Sequence, residues 1–430
     1  MRPTVISFKV VLAFLIGCVV AGAGAVVAVN FMTGEKKLER HISHTYGLDD
    51  PRFSKELGVL LGPAFLPGNQ ASILLNGDQI FPSMLAAIEG ARQSITFETY
   101  IYWSGDIGHR FASALSDAAR RGVRTHVLLD WVGSAKMDDA MLAQMKAAGV
   151  QIKKFHAPHW VHLGRMNNRT HRKLLVVDGR VGFTGGAGIA DEWTGHAQNP
   201  DHWRDTHIKI EGPVVAQLQA VFMDNWIKVT GEVLHGDAYF PELAPHGNSR
   251  AQMFSSSPTG GSESMQLMYL LAIAAAERTI DLSAAYFVPD ELTRGALLSA
   301  IKRGVRLRII VPGEHMDSET VKSASRAKWG ALLEGGALIA EYQPTMFHCK
   351  VLVVDQLLVS IGSTNFDNRS FRLNDEATLN ILDAAFAGEQ TAIFEQDLAR
   401  SRPVSLAAWR NRPKREKVGD WFGSLLSSQL

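Results

Sequence analysis

His171-Arg172-Lys173-Leu174-Leu175-Val176-Val177-Asp178 and His348-Cys349-Lys350-Val351-Leu352-Val353-Val354-Asp355 are two copies of one pattern in a chain of 430 residues. Each reads His-x-Lys, then four residues, then Asp. Each sits at the front of an apolar, β-branched run, which predicts a strand. Side chains alternate along a strand, so a His and a Lys two apart point to the same face. Asp178 is followed by Gly179, a turn signal that places this aspartate at the strand's far end.

The flanks repeat as well. Ala87-Ile88-Glu89-Gly90-Ala91-Arg92-Gln93-Ser94-Ile95 matches Ala272-Ile273-Ala274-Ala275-Ala276-Glu277-Arg278-Thr279-Ile280, each closing a helical pattern and entering a strand. Tyr100-Ile101-Tyr102 and Tyr286-Phe287-Val288 follow. Arg120-Arg121-Gly122-Val123-Arg124 and Lys302-Arg303-Gly304-Val305-Arg306 then lead into apolar strands at 125–129 and 307–311. Strands alternating with helices define the α/β class. A repeat of roughly 180 residues is too long for a solenoid and predicts two duplicated domains packed face to face. The expected organisation is 1–30 as a transmembrane anchor, 31–70 as a membrane-proximal linker, 71–230 as the first domain, 231–262 as a Gly/Pro/Ser/His-rich linker, and 263–430 as the second domain with a basic tail.

If the domains meet about a pseudo-twofold axis, both histidines and both lysines converge on one cleft. That set suits a phosphodiester. One neutral imidazole attacks phosphorus and forms a phosphohistidine. The other, protonated, gives its proton to the departing alkoxide and later takes one from the incoming alcohol or water. The lysines offset charge on the non-bridging oxygens, and no metal or other cofactor is required. Gly362-Ser363-Thr364-Asn365 follows the second motif's hairpin, so Ser363 and Asn365 are candidate phosphate-binding residues. Such histidines need a carboxylate to orient the second ring nitrogen. Asp205 and Glu376, each about thirty residues beyond its histidine, are the candidates.

These motifs resemble the phospholipase D superfamily, whose mark is the duplicated His-x-Lys-x4-Asp, and within it the bacterial cardiolipin synthases. The resemblance covers nearly all of 71–430 and includes Glu98-Thr99-Tyr100, Asn168-Arg169-Thr170-His171-Arg172-Lys173, Asp191-Glu192-Trp193, Trp203-Arg204-Asp205-Thr206 and Gly362-Ser363-Thr364-Asn365-Phe366-Asp367-Asn368-Arg369-Ser370-Phe371. It implies α-β-α sandwich domains, a two-histidine mechanism, phospholipid substrates such as phosphatidylglycerol, and His171, Lys173, Asp178, His348, Lys350 and Asp355 as catalytic residues. It also implies His171 as the nucleophile and His348 as the acid and base. The chain departs from the family at Gly188, where asparagine is usual, matching Asn365 in the second half.

Composition bounds the alternatives. The net charge is +1, which disfavours a nuclease or another protein built to hold nucleic acid. The two cysteines, Cys18 and Cys349, exclude a disulfide framework. The run 10–29 carries no charged residue, and twenty helical residues span about 30 Å, the thickness of a bilayer core. It predicts a single-pass anchor in the cell membrane. Arg2 and Lys9 before it nearly balance Lys36, Lys37 and Arg40 after it, so its orientation stays open. His156, His159, His162, His196, His202 and His207 do not complete a zinc-ligand spacing and read as loop residues near the cleft. Trp103, Trp131, Trp193 and Trp203 suit either acyl-chain contact or core packing. The tail from Trp409 is basic and then apolar around Trp421 and Leu425, which fits anionic headgroups or a solvated surface. The functions in competition are phosphatidyl transfer, hydrolysis of phospholipids to phosphatidic acid, nucleic-acid cleavage, and lipid binding without catalysis.

Overall fold

A computed structural model describes residues 8–31, 40–156, 167–258, 264–427 and 429. His159, Trp160 and His162, together with Arg2, Lys36 and Lys37, lie outside the described residues.

One 16-stranded sheet runs through the molecule. From the middle outward, the first half contributes Leu66–Leu75, Thr206–Glu211, Val181–Gly185, Leu174–Val177, Ser94–Thr99, Arg124–Asp130 and Gln151–Phe155. In the same order the second half contributes Ser249–Ser256, Asn374–Leu382, Leu358–Gly362, Lys350–Val354, Thr279–Ala284, Arg306–Pro312 and Leu338–Tyr342, with Ser401–Pro403 added at its outer edge. The two innermost strands are equivalent in the repeat, and they pair antiparallel, Leu66 facing Ala251 and Asn69 facing Ser249. Antiparallel pairing of equivalent strands is what a pseudo-twofold axis produces. The duplication read from the motifs is therefore present strand for strand.

Alternation along the strands builds the layers. Leu175 and Val177 face one core with helices Asn76–Gly90, Asp106–Arg120 and Asp139–Ala147. Leu352 and Val354 face the matching core under Ser264–Ala275, Glu291–Lys302 and Glu319–Glu334. Leu174, Val176, Val351 and Val353 point the other way, into a core shared by both halves. Helix Val215–Thr230 of the first half brings Phe222 and Trp226 to this shared core, and Ala384–Ala399 of the second brings Phe386 and Phe394. Strands covered by helices on both faces read as continuous apolar runs, which is why both motifs end in them.

Two expectations about connections change. The segment expected as a linker carries strand Ser249–Ser256, so the second half's sheet begins before residue 263. The segment expected to lead into the first domain docks instead on the second. Helix Pro51–Leu61, capped by the Asp50 side chain, packs Phe53 and Leu57 with Met265, Tyr269 and Ile273. His44 Nδ1 lies 2.8 Å from the Ala274 carbonyl oxygen, which ties the same segment to the second half. At the N-terminus, 10–29 falls inside helix Phe8–Phe31, whose Phe14 and Val19 are 70% and 71% exposed. Among the described residues no helix is long and apolar enough to cross a membrane.

Candidate active site

The first regular strand of each motif begins at Leu174 and at Lys350, so both histidines sit just before the strands on which the sequence places them. Here each chain segment leaves its own half. Arg169–Thr170 pairs with Asn374 and Asp375, and the His171 amide donates to the Asp375 carbonyl at 2.9 Å. In the other half Phe347 bridges Arg204, and the His348 amide donates to the Arg204 carbonyl at 2.8 Å. Backbone pairing thus lays each histidine beside a strand of the opposite half.

This crossing decides which carboxylate serves which histidine. His171 Nδ1 is 3.0 Å from both oxygens of Glu376, and His348 Nδ1 is 2.8 Å from Asp205 Oδ2. Sequence order expected Asp205 with His171 and Glu376 with His348, so the pairing is the reverse of that expectation. Both carboxylates are fully buried. Burial works against their charge, yet His171, Lys173 and Ser363 keep Glu376 below the usual carboxylate range. His348, Lys350 and Trp193 do the same for Asp205. The buried Arg204 donates to Asp397 of the second half at 2.8 and 3.0 Å, pinning the segment in which Asp205 precedes strand Thr206–Glu211.

His171 and His348 open into one cavity of about 500 Å³, together with Lys173, Asn365, Arg169 and Arg369. A pocket of this size holds a small ligand or a headgroup. Burial, partly opposed by Glu376, brings His171 down to about 4, and burial with the Lys350 charge also lowers His348. Both rings are therefore neutral near pH 7. With Nδ1 held by a carboxylate, Nε2 presents its lone pair to the cavity. Lys173 is brought down to about 7, first by burial and then by repulsion from Lys350. The Lys350 ammonium sits 3.2 Å from His348 Nε2 and is lowered by burial too.

Ser363, expected to bind phosphate, does not line the cavity. Its hydroxyl donates to Glu376 Oε2 at 2.5 Å and accepts from the Ala377 amide, so it buttresses the carboxylate. Asn365 does line the cavity, and its Oδ1 is buried without a partner among the described residues. Gly188, the equivalent position, has no space for asparagine: a Cβ there would lie 2.8 Å from Ile101 Cβ. Packing against Ile101 and Trp193 accounts for the glycine.

Asp178 and Asp355, expected among the catalytic residues, stand at the far ends of their strands, roughly 20 Å along the chain from the histidines at strand rise. Each occupies a turn at a positive φ of 52°. Asp178 accepts from the amides of Arg92, Gln93 and Ser94, and Asp355 from those of Glu277, Arg278 and Thr279. They tie the hairpin turn to the helix–strand turn beside it. Asp355→Asn is expected to cost about 1–3 kcal/mol of stability, the range for weakening a buried acceptor, and to leave the pH–rate profile of the folded enzyme unchanged. Thermal unfolding and a pH profile check this, and a displaced profile would return Asp355 to the chemistry.

Several residues at the site carried no motif signal. Trp193 donates its indole N–H to Asp205 Oδ2 at 2.9 Å and sets its ring edge-on against His348 at 5.1 Å. Tyr100 meets the His171 ring at 5.2 Å, and Ser370 donates to Glu376 Oε1 at 2.7 Å. All three occur in the phrases shared with the family, which was the available signal. Trp103 and Trp203 also line the cavity, whereas Trp131 is covered by Arg169. Among the described residues no group of three or more His, Cys, Asp or Glu side chains is placed to hold a metal ion.

The family description "Cardiolipin synthase, PLD-like domain" matches residues 84–226 and 269–398, one block in each half. Cardiolipin synthase A of Pseudomonas fluorescens is 34% identical over 366 residues, covering 85% of this chain and 76% of the relative. Cardiolipin synthase of Geobacillus kaustophilus is 35% identical over 365 residues, covering 84% and 72%. The crystal structure of phosphatidylserine synthase from Haemophilus influenzae Rd KW20 superposes with a TM-score of 0.65 at 14% identity, over 88% of this chain and 99% of that one, and so shares the fold. With both halves matched and the duplicated site present, the chain belongs to the cardiolipin synthase family of phospholipase D-like proteins.

Proposed function

We propose that this protein is a phosphatidyltransferase that moves a phosphatidyl group between phospholipids by way of His171. The observation that carries the reading is the pair of imidazoles facing one cavity, each held at Nδ1 by a buried carboxylate from the opposite half. His171 Nε2 attacks the lipid phosphorus and forms a P–N bond as the P–O bond to the leaving alcohol breaks. His348, protonated once the phosphate's negative charge is alongside, gives its proton to the departing oxygen. The acceptor hydroxyl then gives its proton to His348 and attacks phosphorus, and the P–N bond breaks. Lys173 and Asn365, which line the cavity, face the charge on the non-bridging oxygens, and Lys350 adds its charge from beside the His348 ring. Phosphatidylglycerol, or a similar polyol lipid, is the acceptor, giving cardiolipin and a small alcohol, which is glycerol when phosphatidylglycerol is also the donor. The uncharged run 10–29, inside helix Phe8–Phe31, supports attachment of the chain to the cell membrane.

The test is purified protein in detergent with labelled phosphatidylglycerol, with and without added glycerol, and products resolved by mass spectrometry. Cardiolipin is the expected product, and glycerol should drive the reaction backwards. Phosphatidic acid as the dominant product would make the protein a hydrolase of the same mechanism, and no lipid turnover would remove the reading.

The pH dependence has a defined sign. As pH rises through about 7, Lys173 of the free enzyme sheds its proton and its charge opposite the phosphate oxygens is lost, so kcat/KM is expected to fall. Lys173→Arg keeps the charge and should carry that limb to higher pH. An unmoved limb would assign it to another group.

A further inference from the structure

The C-terminal helix Lys414–Leu425 is amphipathic in the inverted sense. Val418, Trp421, Phe422, Leu425 and Leu426 recur at the spacing of one helical face and are 55%, 58%, 59%, 59% and 51% exposed. The polar face is turned inward. Asp420 is 1% exposed and accepts from Arg326 at 2.8 Å and from Arg412 at 2.7 Å, while Glu416 pairs with Arg326 at 3.1 Å. Gly423 lies so close to helix Glu319–Glu334 that a Cβ would come within 2.8 Å of the Ala324 amide nitrogen. A helix that merely covered a globular surface would bury the apolar stripe and leave the carboxylates in water. Here ion pairs hold it the other way round.

Charge and position say what covers the stripe. Lys414, Arg415 and Lys417 are exposed in the first turn and form no ion pair among the described residues, whereas both acidic residues of the helix are occupied by arginines. A cationic helix end beside an aromatic and aliphatic stripe matches the headgroup and upper acyl region of an anionic bilayer. The helix runs along Glu319–Glu334, whose leading residues Ser318 and Val321 line the catalytic cavity. Just past it, Asn368 donates to the Ser427 carbonyl at 2.8 Å, and Arg369 of the cavity wall donates to Asn167 beside Gln429. The end of the stripe is thus stitched to the cavity rim.

We propose that Lys414–Leu425 lies in the surface of an anionic bilayer and holds the mouth of the cavity against it, so that lipid enters from the membrane plane. This rests on the phospholipid reading above, and its test does not depend on turnover. Cys349 is buried, so a Cys18→Ser background leaves the chain free of exposed cysteine. The full chain carrying Leu425→Cys, labelled with an environment-sensitive fluorophore, is reconstituted into phosphatidylcholine–phosphatidylglycerol vesicles containing acyl-chain spin-labelled lipid. The control label is at Glu389→Cys, exposed on helix Ala384–Ala399. The expected result is blue-shifted emission and about twofold or greater quenching at 425, with neither at 389. Equal, unquenched emission at both positions would overturn the proposal. So would a blue shift at 425 that resists lipid quenching and grows with protein density, since a second copy would then cover the stripe. A second arm uses Trp421→Ser with Phe422→Ser. Turnover of bilayer phosphatidylglycerol should fall about tenfold while turnover of a monomeric short-chain analogue is unchanged; an equal rate on both would count against the proposal. Wild-type failure on both substrates, with quenching at 425 intact, would remove the enzymatic reading and leave the membrane contact standing.

Discussion

His171→Ala is expected to lower kcat for phosphatidyl transfer by roughly 10⁴- to 10⁶-fold, the range for removing a nucleophile that acts as one unit with its partners. His348→Ala should be as damaging on natural lipid, because an alkoxide then leaves without a proton. The two variants separate on an activated phosphodiester whose leaving group is stable as the anion. With His348→Ala the first step no longer needs an acid, but the acceptor still lacks a base, so a covalent adduct accumulates. With His171→Ala there is no adduct on any substrate. Intact-protein mass spectrometry at mildly alkaline pH, where a phosphoramidate survives, followed by peptide mapping, reads this directly. An adduct on His348 in the His171→Ala protein would exchange the two roles and keep the mechanism.

The second large effect comes from the carboxylates. Glu376→Gln replaces the carboxylate that holds His171 Nδ1 from 3.0 Å with an amide and is expected to cost roughly 10³- to 10⁴-fold in kcat, since the amide N–H favours the wrong tautomer. Asp205→Asn should cost a similar factor through His348. The pattern of the defects matters more than their size. Because the pairs cross between halves, Glu376→Gln should block adduct formation as His171→Ala does, and Asp205→Asn should let the adduct build up as His348→Ala does. Rapid-quench measurement of adduct formation and breakdown tests this. If Asp205→Asn were the variant that prevents the adduct, the crossed geometry would not be the working one.

Crossing also gives the duplication its consequence. Neither half holds a complete acid–base unit: the first lacks the carboxylate for its own histidine, and so does the second. The buried Arg204–Asp397 pair and the shared core of Phe222, Trp226, Phe386 and Phe394 hold the halves in register, so the histidine–carboxylate hydrogen bonds share the stability of the interface. A separated half would present His171 or His348 without the carboxylate at Nδ1.

The local chemistry was legible in the sequence. The β-branched runs after His171 and His348 are strands because their alternate residues face two cores, and Asp178-Gly179 is a turn because both residues adopt positive φ. The repeat gave the duplicated α/β architecture and brought both histidines to one cavity by symmetry. Tertiary structure alone decided the rest. The bond from His171 to Glu376 spans 205 residues, and that from His348 to Asp205 spans 143. Residue spacing ranks near neighbours ahead of distant ones, whereas strand exchange at Arg169–Thr170 and at Phe347 makes the distant carboxylate adjacent. The same holds for Asp355, which a linear motif groups with catalytic residues although a strand's rise carries it away from them. It holds for Ser363, whose hydroxyl faces Glu376 and not the cavity, and for helix Pro51–Leu61, which docks on the half it precedes by some two hundred residues. Sequence specifies what each segment can become, through periodicity and turn chemistry. Which segments meet is fixed by burying the apolar faces of both halves together, and that is a property of the whole chain.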